Sequence, residues 1–195
     1  MEDQKLVDKI SSLGGFNRID KKVRYVGETK FAFNSDSQLP NNYLEIGKRY
    51  NSFSFTNWVK VKLLEDTPIS DEGYVDVECF YEKDDAYALK SNYFDQLPID
   101  LLPIFSSFPG DLICLNLSSK QYGKVYYWDH EGPSGSDTFL IAHSFDEFVL
   151  KLEVEDEEET DSKPMGKITK VTMTKEFLDL LKKDGYGPKD DSNPK

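Results

Sequence analysis

The sequence predicts an α+β domain. Three observations point there: period-two alternation at 53–63 and 74–81, two strand-like runs at 111–117 and 124–131 separated by one turn, and short capped helices around them. A chain of 195 residues suits one domain, or one domain with an appendage. Its 11 Tyr, 13 Phe and 2 Trp are enough large side chains for a sizeable core, which excludes global disorder.

Each element has a local reason. Leu6, Ile10 and Leu13 fall at i, i+4 and i+7, so residues 3–13 read as a helix stopped by Gly14-Gly15. Residues 23–33 read as extended, with Val23, Tyr25, Phe31 and Phe33 at odd positions. Pro40 suits the first turn of a helix whose apolar stripe is Leu39, Tyr43, Ile46 and Tyr50. In the next strand Phe53, Phe55, Val59, Val61 and Leu63 share one face, with Asn57 the exception, and Ser54, Thr56, Trp58, Lys60 and Lys62 share the other. Val75, Val77, Cys79 and Tyr81 then alternate against Asp76 and Glu78.

Residues 84–97 suggest a short helix limited by Pro98, and Leu101 to Phe105 an extended segment. Asp111 to Leu117 is nearly all apolar, as a central strand would be. Lys124 to Glu131 is rich in aromatic and β-branched residues and pairs with it as a hairpin. A Gly-Pro-Ser loop precedes a further strand at 138–142. Ser144-Phe145-Asp146-Glu147 is a capping box opening a helix with Phe145, Phe148, Val149 and Leu152 on one stripe. From 153 to 161, seven of nine residues are Asp or Glu. The domain is therefore expected to end at 153. An acidic linker and C-terminal extension over 154–195 would carry an extended stretch at 166–173, a short helix at 175–184 and a disordered tail.

Composition excludes several functions. Lys and Arg number 24 against 36 Asp and Glu, a net charge of −12, so nonspecific nucleic-acid binding through a basic surface is disfavoured and a basic partner is favoured. The N-terminus has no basic start or apolar core, and no apolar run approaches a bilayer span, so the expectation is a soluble, cytoplasmic protein with no membrane partner. Cys79, Cys114, His130 and His143 lack the paired spacing of a zinc site. The two cysteines sit in apolar runs, where a disulfide is conceivable and a buried reduced thiol is the better reading.

No nucleophile elbow, phosphate loop, zinc-protease or dinucleotide motif occurs, which favours a binding module over an enzyme, with no cofactor and no metal. Asp129-His130-Glu131 is the most tempting triplet. On a continuous strand its carboxylates point one way and its imidazole the other, so the three would not converge without a break in the strand. A polar strand end is the plainer reading.

Four segments, in order, resemble the SUKH superfamily, the Smi–Knr type immunity proteins. They are Leu39-Pro40-x-x-Tyr43 opening a helix; Pro109-Gly110-Asp111-Leu112-Ile113-Cys114-Leu115; Gly123-Lys124-Val125-Tyr126-Tyr127-Trp128-Asp129-His130-Glu131; and Ser144-Phe145-Asp146-Glu147-Phe148 opening a helix. The resemblance covers about residues 5–153. In the family the first helix normally ends near a glycine-containing turn, and here Tyr50-Asn51-Ser52 has no Gly. The resemblance implies a mixed, mostly antiparallel β-sheet packed against helices. It also implies a function: neutralising a polymorphic toxin, often a nuclease or deaminase, by binding without chemistry. Fungal members instead serve as signalling and cell-wall regulators, so a regulatory or scaffold role is the alternative, and an enzyme with an unrecognised site the third.

The expected partner is a basic toxin protein, which an acidic inhibitor meets faster through electrostatic steering. Candidate partner-binding residues are Trp58, Trp128, Asp129, Glu131, Glu155, Asp156, Glu157 and Glu158. Trp128 has two readings, core packing or an anchor at a binding cleft. The acid run has three: a solvated tether, a direct contact with a basic face, or a cation site, the last disfavoured because the run has no glycine.

Overall fold

The computed structural model describes residues 2–19 and 39–155, apart from 69, 71, 94, 108, 109 and 134. The segments expected at 23–33, 166–173 and 175–184 lie outside the described residues. The elements run α1 (Glu2–Ser12), β1 (Phe16–Arg18), α2 (Asn41–Tyr50), β2 (Phe53–Lys62), β3 (Tyr74–Phe80), α3 (Lys83–Asn92), β4 (Leu101–Ser106), β5 (Leu112–Asn116), β6 (Val125–Trp128), β7 (Thr138–Ala142), α4 (Phe145–Lys151) and β8 (Glu153–Val154). The eight strands form one sheet in the order β1-β2-β3-β4-β5-β6-β7, with β8 also on β2. Every strand pairing is antiparallel.

The sheet curls. Just past β2, Leu64 N–H donates to Leu140 O of β7 at 2.8 Å, and Leu140 N–H donates to the Glu65 carboxylate at 3.0 Å. The β7 edge is thus covered by the chain's own backbone and a charge, the protection an exposed edge needs.

One face of the sheet carries the main core. Leu6 and Ile10 of α1, Tyr43 and Ile46 of α2, and Phe145, Phe148 and Val149 of α4 pack on it. Phe53 lies at the centre, 5.1 Å from Phe80, 5.1 Å from Phe16 and 5.9 Å from Tyr50 between ring centroids. Each such pair adds about 0.5–1.5 kcal/mol beyond the area buried. On the opposite face, Leu97, Leu101, Leu112, Cys114 and Trp128 form a smaller cluster, roofed by Leu89 and Tyr93 of the α3 region. Buried Lys90 ties α3 down, donating to Pro98 O at 2.9 Å and to Leu101 O. Burial lowers its pKa to about 8.

The helix ends follow their local chemistry. Ser144 Oγ accepts from Glu147 N–H at 3.1 Å, while Glu147 Oε2 accepts from His143 N–H, one residue before the cap, at 3.0 Å. α2 ends at Asn51, whose φ of 57° and ψ of −160° suit glycine.

The alternation expected on β2 and β3 breaks at one place. Ser54 pairs Cys79 and Val59 pairs Val77, so Phe55 to Trp58 on β2 span the interval of Glu78 alone on β3. This bulge changes the face order: Phe80 joins Val75 and Val77 in the core, and Cys79 turns to the other face, half-buried. The bulge is held at its base. Phe55 stacks over Phe105 at 6.2 Å, Thr56 N–H donates to Gly15 O, and Thr56 Oγ donates to Gly14 O at 2.9 Å. Gly14 has φ +95°, and a Cβ there would sit 1.9 Å from Asn57 Nδ2, so the Gly14-Gly15 turn is also the socket of the bulge.

Candidate partner-binding surface

Two regions contain the residues singled out in the sequence. The first is the corner after β6. The strand stops at Trp128 and turns, with Gly132 N–H donating to Asp129 O at 3.2 Å and Glu131 N–H donating to Asp129 Oδ1 at 2.9 Å. The turn brings Asp129, His130 and Asp111 together, with one ligand-capable atom from each within 4.8 Å of the others. The expectation that Asp129 and His130 diverge on a continuous strand is therefore corrected, because the strand ends before them. Glu131 Oε1 stays 3.9 Å from His130 Nε2 and its side chain is exposed.

The corner is chiefly a structural latch. Buried Asp111 accepts from Tyr127 Oη–H and from His130 N–H at 3.0 Å, and its Oδ1 lies 2.6 Å from His130 Nδ1. The hydrogen bond to Asp111 raises the His130 pKa above its ordinary value, with Glu131 and Asp129 adding to the rise. Burial, helped by the same carboxylate, raises Tyr127. Asp137 holds the far side of the loop, accepting from Trp128 Nε1–H at 3.1 Å and Gly135 N–H at 3.2 Å. Trp128 is 2 % exposed and meets Tyr93 edge-on at 5.6 Å. A ring so enclosed packs the second core and offers no area to a partner.

The second region is the open face of β2 and β3, beyond the reach of α3. The bulge lifts Trp58 out of the sheet to 67 % exposure, the highest of the large hydrophobic side chains described. Beneath it runs a groove of about 430 Å³, lined among others by Trp58, Ser54, Asp76, Glu78 and Cys79. Burial raises the Asp76 pKa and the nearby Glu155 charge adds to it, while Lys60 opposes. Lys60 is engaged nearby, 3.5 Å from Glu155 Oε1 and 4.9 Å from the centre of the Tyr74 ring.

Glu155 meets Trp58 through the backbone. Val154 and Glu153 pair with Val59 and Lys60, and Glu155 N–H donates to Trp58 O at 2.9 Å. Sheet pairing therefore runs through Val154, with one further backbone bond at Glu155, and the start of the acid run lies beside Trp58. Asp156, Glu157 and Glu158 lie outside the described residues. The two regions are joined through Ser107, whose Oγ–H donates to Asp76 O at 2.7 Å and whose N–H donates to Asp111 O at 2.8 Å. Asp76 and Glu78 are not among the residues that the sequence singles out. Their alternation with Val75 and Val77 marked them as outward, but not that their face would be left uncovered.

A curled antiparallel sheet, backed by three helices on one face and partly open on the other, is a scaffold for presenting a surface. The chain belongs to the SUKH family: the family model described as SMI1-KNR4 cell-wall, SUKH_6, matches residues 34–149, more than half of its length. It is also similar to the SPbeta prophage-derived uncharacterized protein YokK of Bacillus subtilis (strain 168). The two are 34% identical over 149 residues, covering 68% of this chain and 76% of that protein. Family membership suggests an immunity-protein-like function, since SUKH proteins are typically non-catalytic binders of toxins. Among the described residues, no helix is long and apolar enough to cross a membrane.

Proposed function

We propose that this chain is an immunity protein. It binds a cognate polymorphic toxin that acts on nucleic acid, in the cytoplasm of the cell that makes both, and blocks it by occlusion without chemistry of its own. The observation that carries this reading is the SUKH match over residues 34–149. The net charge of −12 supports it, because a toxin that grips nucleic acid presents a basic face that an acidic inhibitor attracts. The open β2–β3 face, with Trp58 standing beside Glu155, is the contact surface that best fits a protein partner. Exposed aromatics at the centre of an interface contribute disproportionately to binding.

The test is co-expression with the product of the neighbouring gene. Growth of cells that make the toxin should depend on this chain, and the two proteins should co-purify. Cells that survive the neighbour's product equally well without this chain contradict the reading. The word cell-wall in the family description favours one alternative, a regulator or scaffold that binds endogenous proteins. On that reading the chain co-purifies with host proteins whether or not the neighbouring product is present.

A further inference from the structure

We propose that the groove beneath Trp58 seats an arginine side chain presented by the partner protein, with the guanidinium stacked on the indole and paired with Glu78. The inference rests on the reading of this face as the toxin-contact surface, and specifies what that surface recognises.

Three observations converge. The first is the indole. Trp58 lies on the polar side of β2, where the bulge leaves it 67 % exposed with no ring partner among the described residues. Its backbone is anchored: its carbonyl accepts from Glu155 N–H, and the preceding Thr56 is bonded to Gly14 and Gly15. An aromatic ring on an anchored backbone and left uncovered offers its face to a flat cation.

The second is charge. Asp76 and Glu78 line the same groove, and neither has an ion-pair partner within 4.0 Å among the described residues. Glu78 has only a long contact with Ser106 Oγ, at 3.4 Å. The cations on this face are committed elsewhere, Lys60 to Glu155 and the Tyr74 ring, and Lys62 to the same ring at 5.5 Å. Lys60 also stands across from Asp76 in the strand register and tempers its charge, so Glu78 is the carboxylate of the groove left without a cation among the described residues.

The third is shape. The outer edge of β2 is taken by β1 over 53–55 and by β8 over 59–60, so a partner cannot add a strand there. What remains open is the groove itself, wide enough at about 430 Å³ for a side chain. A planar guanidinium satisfies the ring and a carboxylate at once, which the compact ammonium of lysine does less well.

The probe is the peptide Gly-Ser-Arg-Ser-Gly, titrated into the ¹⁵N-labelled full chain while the Trp58 indole N–H resonance is followed. Its control carries citrulline in place of arginine. The arginine peptide should shift that resonance saturably, and the citrulline peptide should not. Glu78→Gln should weaken the apparent affinity about fivefold, as the loss of one exposed charge pair would. Asp76→Asn is the second variant, and both sit on the solvent side of β3, so an unchanged melting temperature confirms the fold. Equal shifts from both peptides, no shift from either, or an unaltered affinity in Glu78→Gln would each overturn the inference. Protection assays separate it from the broader reading. A Trp58→Ala/Glu78→Gln chain that protects as well as wild type removes the groove and leaves the immunity function standing. Arginine binding by a chain that protects against no toxin does the reverse.

Discussion

Truncating Trp128 to alanine probes how the second face of the sheet is built. The indole is enclosed by Leu97, Leu101, Leu112 and Cys114, meets Tyr93 edge-on at 5.6 Å, and donates to Asp137 at 3.1 Å. Removal loses the transfer energy of a whole ring, leaves a cavity, and strips Asp137 of one donor. Large aromatic-to-alanine changes at such sites cost about 3–5 kcal/mol. At roughly 2–4 °C per kcal/mol for a domain of this size, the melting temperature should fall by about 6–20 °C. Far-UV circular dichroism against temperature and urea measures it. Trp128→Phe separates the terms: it keeps most of the packing but loses the N–H, and should cost about 1–3 kcal/mol. A Trp128→Ala chain that melts like wild type and loses toxin binding would refute the core assignment and restore Trp128 as a surface anchor.

Three further outcomes follow from the same geometry. Asn51→Gly should raise the urea midpoint, with a gain of about 1 kcal/mol, since Asn51 occupies a conformation costly for any residue with a Cβ. The His130 pKa is raised in the fold, so its bond to Asp111 contributes fully below pH 6.5, the unfolded value, and fades as pH rises through the folded value. The stability gap between wild type and His130→Gln should accordingly narrow with rising pH over that interval, and a gap constant in pH would contradict it. We propose that the acid run beyond Glu155 is a solvated tether. Replacing Asp156, Glu157, Glu158 and Glu159 by Asn or Gln should then leave the melting temperature unchanged and slow association with the toxin in stopped flow. A large rise in dissociation rate would instead show direct contact.

Much of this architecture is legible in the residues because local signals and tertiary packing agree. Leu6, Ile10 and Leu13 fix the buried stripe of α1, Ser144 and Glu147 fix the start of α4, and the apolar run at 112–115 fixes a central strand. Failures occur where a tertiary contact overrides the local period. The bulge at 55–58 is set by the Gly14-Gly15 turn some 40 positions earlier, so alternation alone places Cys79 inward where Phe80 belongs. The corner at 129–132 turns because buried Asp111 gathers Tyr127 and His130, a partnership no spacing within 124–131 reveals. The exposed Trp58 is a candidate by residue type. Its groove depends on which part of the sheet α3 leaves open, and that is a property of the assembled fold.

Inhibition of the purified toxin domain by this chain is the most direct test of the immunity function. Toxin activity on its nucleic-acid substrate is titrated against the chain, and the complex is then separated in denaturant and the toxin refolded. Occlusion predicts complete inhibition at equimolar chain and full recovery of activity in the released toxin. Undiminished activity at saturating chain would contradict the function itself, and a permanently inactive toxin after separation would contradict a mechanism without chemistry.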